Sequence, residues 1–318
     1  MQLPDLYSHK FVASRETSNY RHFSGLISDR DFEINAPIIS QSEFELGNHS
    51  RSAESLLNNE ICKFACAALE TFLDIRNDNL SIKSISWALI RTYYASFYAA
   101  HACLKSVGQF VTRLENKSSE IIQKEAKIYY PTSLKPFASE FHVVYDDRLN
   151  KLTFKQLGKL KGGGYHERFW YIFNDFIEVG LQSPLRAQTV YQDELLFLQS
   201  LKDNVNKSGA PTWLSAIRNQ INYQMPLDIW YPYEKKQKSA FYQNIIKTSN
   251  TDKKVLSDYG DLNSNLELVK FNCTCNGIID LMIKLTDTFF TKTSIKSNTK
   301  KATFDRLLKL YKDNKYVA

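Results

Sequence analysis

Arg218, Asn219, Asn222 and Tyr223 crowd into one short stretch, PTWLSAIRNQINYQMPLDIWYP, at residues 211–232. A guanidinium is always charged and presents a planar fork of donors. Beside carboxamides and a phenol it suits the oxygens of a phosphate. Arg218 and Asn222 lie one helical turn apart and project together, while Trp213, Leu214, Ile217 and Ile221 fall on a separate apolar stripe that seats the helix on a core. A purely structural role is equally open at this point. Arg218 would then pair with an acid such as Glu167 or Asp175, Asn219 and Asn222 would satisfy backbone groups, and the aromatic rings would be core.

The elements that must position this stretch follow from its flanks. Pro211 suits a first helical turn, and Pro226 ends the helix because the residue before a proline is pushed out of the helical region. Trp230-Tyr231-Pro232-Tyr233 then continues as an extended aromatic segment. Upstream, Leu56, Leu57, Ile61, Phe64, Ala65, Ala68, Leu69 and Phe72 recur at helical spacing and predict a helix over 53–76. A second helix is expected over 81–107, with Trp87, Ile90, Tyr94, Phe97, His101 and Leu104 as its main stripe and Gly108 as its terminator. Its small residues Ala95, Ser96, Ala99 and Ala100 allow close approach of a neighbour, which predicts a central position.

Residues 1–50 are poorly periodic and read as an arm or irregular segment. Within them DFEINAPIIS and SEFELGN are candidate short strands. Residues 109–165 read as an insertion, with a charged helix over KSSEIIQKEAKI, an aromatic segment around FHVVYDD and a flexible Gly162-Gly163-Gly164. Helices follow over ERFWYIFNDFIEVG and over 188–206, the latter with Leu195, Leu196, Leu198 and Leu201 as core positions. Beyond the aromatic segment, FYQNIIKT predicts one short helix, 264–291 a long one with Asn276-Gly277 as a point of kinking, and TFDRLLKLYKDNKYVA a last amphipathic one. The expected fold class is all-α, a multi-helix bundle divided as 1–50, 51–235 and 236–318.

Composition narrows the partners. The net charge of +7 comes from 41 basic against 34 acidic residues, a mild excess that permits an anionic partner such as RNA without requiring one. MQLPDLYSHK has neither the basic start nor the apolar run of a secretory leader, and no window approaches a membrane span, so a cytoplasmic protein without membrane contact is expected. Cys62, Cys66, Cys103, Cys273 and Cys275 lack paired zinc spacing and read as reduced thiols. Phosphate-loop, G-x-S-x-G, H-E-x-x-H and dinucleotide motifs are missing, so no metal and no cofactor is expected.

Two stretches together carry a family resemblance. SWALIRTYYASFYAAHACLKSVG resembles the long second helix of HEPN-superfamily domains, and Arg218-Asn219-Gln220-Ile221-Asn222-Tyr223 looks like that superfamily's Arg-Asn-x-x-x-His signature. The match spans 52–107 and 165–225. The resemblance implies a helical core, commonly a homodimer, that cleaves RNA without metal in stress or phage defence, as a toxin-type effector. Arg218 would stabilise charge on a phosphate, and Asn219 would hold the helix end or the substrate. Tyr223 stands where an active member carries histidine, and a phenol titrates about three units above the range useful to a neutral-pH base. His101 is the candidate substitute, with a hydrogen-bonded core histidine as its alternative. His166 reads as a surface or capping residue. Two functions therefore remain open: a metal-independent ribonuclease, or an inactive HEPN-like scaffold holding RNA or a protein partner.

Overall fold

One helix is buried almost all round, with two long helices lying along it. The computed structural model describes residues 3–7, 11, 22–48, 52–77, 86–158, 164–207, 209–224, 264–292 and 299–315. Among them the helices are α1 (Phe23–Ser28), α2 (Ser52–Asn77), α3 (Ser86–Ser106), α4 (Asn116–Tyr129), α5 (Tyr165–Leu181), α6 (Gln192–Val205), α7 (Trp213–Asn219), α8 (Ser264–Lys292) and α9 (Thr299–Lys315). The strands are β1 (Glu43–Gly47), β2 (Gln109–Arg113), β3 (Glu140–Asp146) and β4 (Lys151–Gln156). The fold is mostly α and multi-helical, as the periodicity predicts, with a small antiparallel sheet added to it.

The central helix is α3. Ala95, Ser96, Ala99 and Ala100 are fully buried, and α2 and α8 lie along it. Three of its buried hydroxyls bond within the helix itself: Thr92 donates to the Ala88 carbonyl, Ser96 to Tyr93 and Ser106 to Cys103. Gly108 ends the element at φ 76°, a backbone state that costs glycine little. Trp87, expected on the buried stripe, is instead 60% exposed. The helix α8 runs without interruption through Asn276-Gly277, where a kink was expected. Leu198 and Leu201 are buried in α6 as expected, but Leu196 points to solvent. The expected helix over FYQNIIKT and the aromatic segment at 230–233 lie outside the described residues.

Strands β1–β4 form one sheet in the order β1-β4-β3-β2. Phe44 stacks on Phe154 at 4.6 Å, and with Phe141 and Phe110 they make the inner face of a second core, closed by α1, α4 and the first turns of α2. SEFELGN supplies β1 and FHVVYDD supplies β3, each alternating buried and exposed positions. The turn between β3 and β4 is held by Asp146, whose carboxylate accepts from the N–H groups of Arg148 and Leu149. Leu3, Leu6 and Tyr7 belong to the helical core, where Tyr7 stacks on Phe176 at 4.6 Å.

Lys105 joins the two cores. It is 3% exposed, bonds Glu60 at 2.6 Å, and sits over the rings of both Phe64 and Phe110. Burying an ammonium is tolerable only because a carboxylate and two ring faces answer it.

Candidate functional site

The helix α7 is short and firmly seated. Trp213, Leu214, Ile217 and Ile221 are all buried, as their spacing predicts. The Trp213 indole N–H donates to Glu267 on α8 at 3.1 Å, and Lys207 lies over the same ring. After Asn219 the helix widens into a π-turn over Gln220–Gln224. A π-turn adds a residue to the hydrogen-bonded ring, so the simple one-turn relation between Arg218 and Asn222 is lost. Asn219 and Asn222 are half-buried, and Tyr223 is 71% exposed.

Arg218 itself turns inward and is 8% exposed. Its guanidinium lies 5.4 Å from the ring centre of Tyr93 and 5.9 Å from that of Tyr94, both on α3. Among the described residues no carboxylate pairs with it, and its Nε has no hydrogen-bond partner. Neither Glu167 nor Asp175 answers the charge. The buried cation is met by two ring faces and the Tyr93 hydroxyl, and no anionic group among the described residues balances it.

Beside Arg218 stands His166, in the first turn of α5. The start of α5 is tied to the sheet through Arg168, which donates to the Leu157 carbonyl at 3.3 Å and pairs with Glu140. That anchoring sets His166 with its Nδ1 3.1 Å from the Tyr93 hydroxyl, while the Trp170 indole N–H donates to the same hydroxyl at 3.1 Å. Trp170 and Arg218 are donor-only groups, so neither takes the Tyr93 proton. Among the described residues His166 Nδ1 is the acceptor available to it, an arrangement in which the neutral imidazole carries its hydrogen on Nε2. Burial, and then the charge of Arg218, pull the His166 pKa down to about 4. Burial pushes the Tyr93 phenol up, and its bond from Trp170 and the Arg218 charge oppose that.

His101 occupies a different place. It is 4% exposed, sandwiched by Phe64 at 4.8 Å and Phe169 at 4.1 Å, with Nε2 3.5 Å from the Tyr165 hydroxyl. The Phe97 ring stands between it and His166, 4.8 Å from one and 4.4 Å from the other. Burial and the nearby Lys105 hold its pKa well below the ordinary value. Of the residues singled out in the sequence, Arg218 is in the cluster, Asn219 and Asn222 flank it, Tyr223 faces solvent and His101 is core. The expected surface or capping histidine, His166, is the one that meets Arg218 through Tyr93. What brings it there is the buried Tyr93 hydroxyl, which needs polar partners and finds them in His166 and Trp170.

No protein-family model, no curated protein and no solved structure matches the chain. Five free cysteines are present, Cys66 half-buried and the others buried, and burial raises the thiols of Cys66, Cys103, Cys273 and Cys275.

Proposed function

We propose that the protein acts on RNA as a HEPN-like, metal-independent ribonuclease, with Arg218 as the phosphate-binding group and His166 as the acid–base group. The observation that carries this reading is the buried Arg218 guanidinium, which has no carboxylate among the described residues and has a hydroxyl-anchored imidazole beside it. In this chemistry the 2′-hydroxyl of the strand attacks the adjacent phosphorus and the bond to the 5′-oxygen breaks. The attacking hydroxyl loses its proton to solvent, and the products carry a 2′,3′-cyclic phosphate and a 5′-hydroxyl. Arg218 binds the non-bridging oxygens as charge builds on them. A phosphate on Arg218 also offsets one of the two causes that keep His166 neutral. This raises the His166 pKa, and the fraction of His166 that takes a proton from solvent donates from Nε2 to the departing oxygen, returning to the neutral imidazole. Such an activity fits a toxin or phage-defence effector, and a homodimer is the assembly expected from the resemblance.

A second reading, a HEPN-like scaffold that binds RNA or a protein without cleaving, is favoured by the exposure of Tyr223 at the position of the signature histidine. One experiment separates them. Wild type, Arg218→Ala and His166→Gln are incubated with a mixed RNA pool in EDTA, and ends are analysed for cyclic phosphate. Cleavage lost in both variants at unchanged melting temperature supports the nuclease. Binding that depends on Arg218 without cleavage supports the scaffold, and an RNA-indifferent wild type sinks both.

A further inference from the structure

Along α3 the residues that escape burial are Trp87, Arg91, Tyr94 and Tyr98, three to four positions apart, and so a single line on one face. Three of the four are aromatic. Arg91 is paired with Asp74 of α2, which leaves Arg218 as the cation on this face that no described carboxylate answers. The Tyr94 and Tyr98 ring centres are 6.5 Å apart, and Phe64 of α2 extends the row, 6.3 Å beyond Tyr98. Both rings are half-buried, and neither hydroxyl makes a hydrogen bond to a described residue. Tyr94 also borders the catalytic pair, its ring 6.0 Å from His166 and 5.9 Å from the Arg218 guanidinium. A face built to receive another helix would offer branched aliphatic side chains for interdigitation. Flat rings held in place on their inner side, with a cation at one end, suit flat ligands that carry negative charge.

We propose that Tyr94 and Tyr98 form a base-stacking platform, on which an unpaired base of a nucleic-acid strand rests while its phosphate occupies Arg218. The assignment rests on the phosphate-binding reading of Arg218 and adds to it what the rest of the nucleotide touches. Stacking needs an exposed base face, so paired bases in a duplex are refused and the sequence preference is weak.

The test uses the full chain, fluorescence anisotropy, and two labelled probes of equal length: 2′-O-methyl octauridylate, which lacks the attacking hydroxyl, and its abasic counterpart. Wild type is expected to bind the base-bearing probe about tenfold more tightly than the abasic one. Tyr98→Leu and Tyr94→Leu each reduce that preference, Tyr98→Phe retains it, and Arg218→Gln weakens both probes alike. Circular dichroism establishes that each variant is folded, and Tyr98→Phe keeps the ring should a leucine variant not fold. Equal wild-type affinity for the two probes, or a preference that survives both leucine substitutions, overturns the platform while leaving Arg218 as a phosphate site. Arg218→Gln binding as wild type overturns the phosphate reading instead. Failure of the wild type to bind either probe overturns both.

Discussion

The Arg218 guanidinium rests 5.4 Å from the ring centre of Tyr93, nine-tenths buried, where its company is aromatic rather than acidic. Removing an arginine from a buried ion pair strands its partner and costs on the order of 3–5 kcal/mol. No such partner exists among the described residues. Arg218→Ala is therefore expected to lose phosphate binding with a melting temperature close to wild type, and Arg218→Lys to recover part of the binding. A large early melt in both variants would show that the guanidinium is structural.

Tyr93 holds Trp170 and His166 through one oxygen. In Tyr93→Phe the fully buried Trp170 N–H loses its acceptor, at a cost of about 1–3 kcal/mol. In the double variant Tyr93→Phe/Trp170→Phe that orphan is gone. Urea denaturation of the two single variants and the double is expected to show a clearly non-additive cycle, and strict additivity would mean that the indole finds another acceptor.

The pH dependence of stability carries the signature of His166. Its pKa falls from 6.5 in the unfolded chain to about 4 in the folded one, so between those values the unfolded chain binds more protons. The contribution is whole above pH 6.5 and is lost as pH falls through the window to about 4. His142, half-buried and near Lys155, is likewise lowered to about 4 and adds to the loss. The measurement is therefore a difference: denaturant midpoints of wild type and His166→Gln at pH 7, 5 and 4, with the variant expected to lose less on acidification. In a histidine NMR titration, inorganic phosphate is expected to raise the His166 pKa.

The Lys105–Glu60 pair offers a stability test away from the site. Glu60→Ala leaves a buried ammonium facing only rings and is expected to cost on the order of 3–5 kcal/mol. Adding Lys105→Met removes the stranded charge and restores most of that loss, which calorimetry of the three proteins measures.

The longer helices were legible because their faces repeat at the helical period: Leu56 to Phe72 marks α2, and Trp213 to Ile221 marks α7, whereas α1 lies in a stretch read as irregular. The sheet was not legible as a sheet. Phe44 and Phe154 belong to segments far apart in the chain, and local alternation does not say which strand pairs with which. Trp87 and Leu196 were placed on buried stripes because periodicity gives a face and not its partner. At the site, the types and spacing exposed Arg218, whereas His166 was hidden because its role depends on where α5 begins, and Arg168 reaching Glu140 sets that. Helical register alone points to Tyr223, and the π-turn takes that register away.

The sheet also governs the order in which the chain can acquire its structure. Asn48 and Asn150 hydrogen-bond at 3.1 Å across 102 residues of chain, and all of α2 and α3 lies inside that closed loop. Closing a loop of that length is entropically expensive for an open chain, but far less so once α2 and α3 have formed an antiparallel hairpin that brings Asn48 and the start of β2 to the same end. The hairpin thus acts as the template for the sheet. Pairing of β1 with β4 is therefore expected to follow formation of the helix that carries Tyr93 and Tyr94.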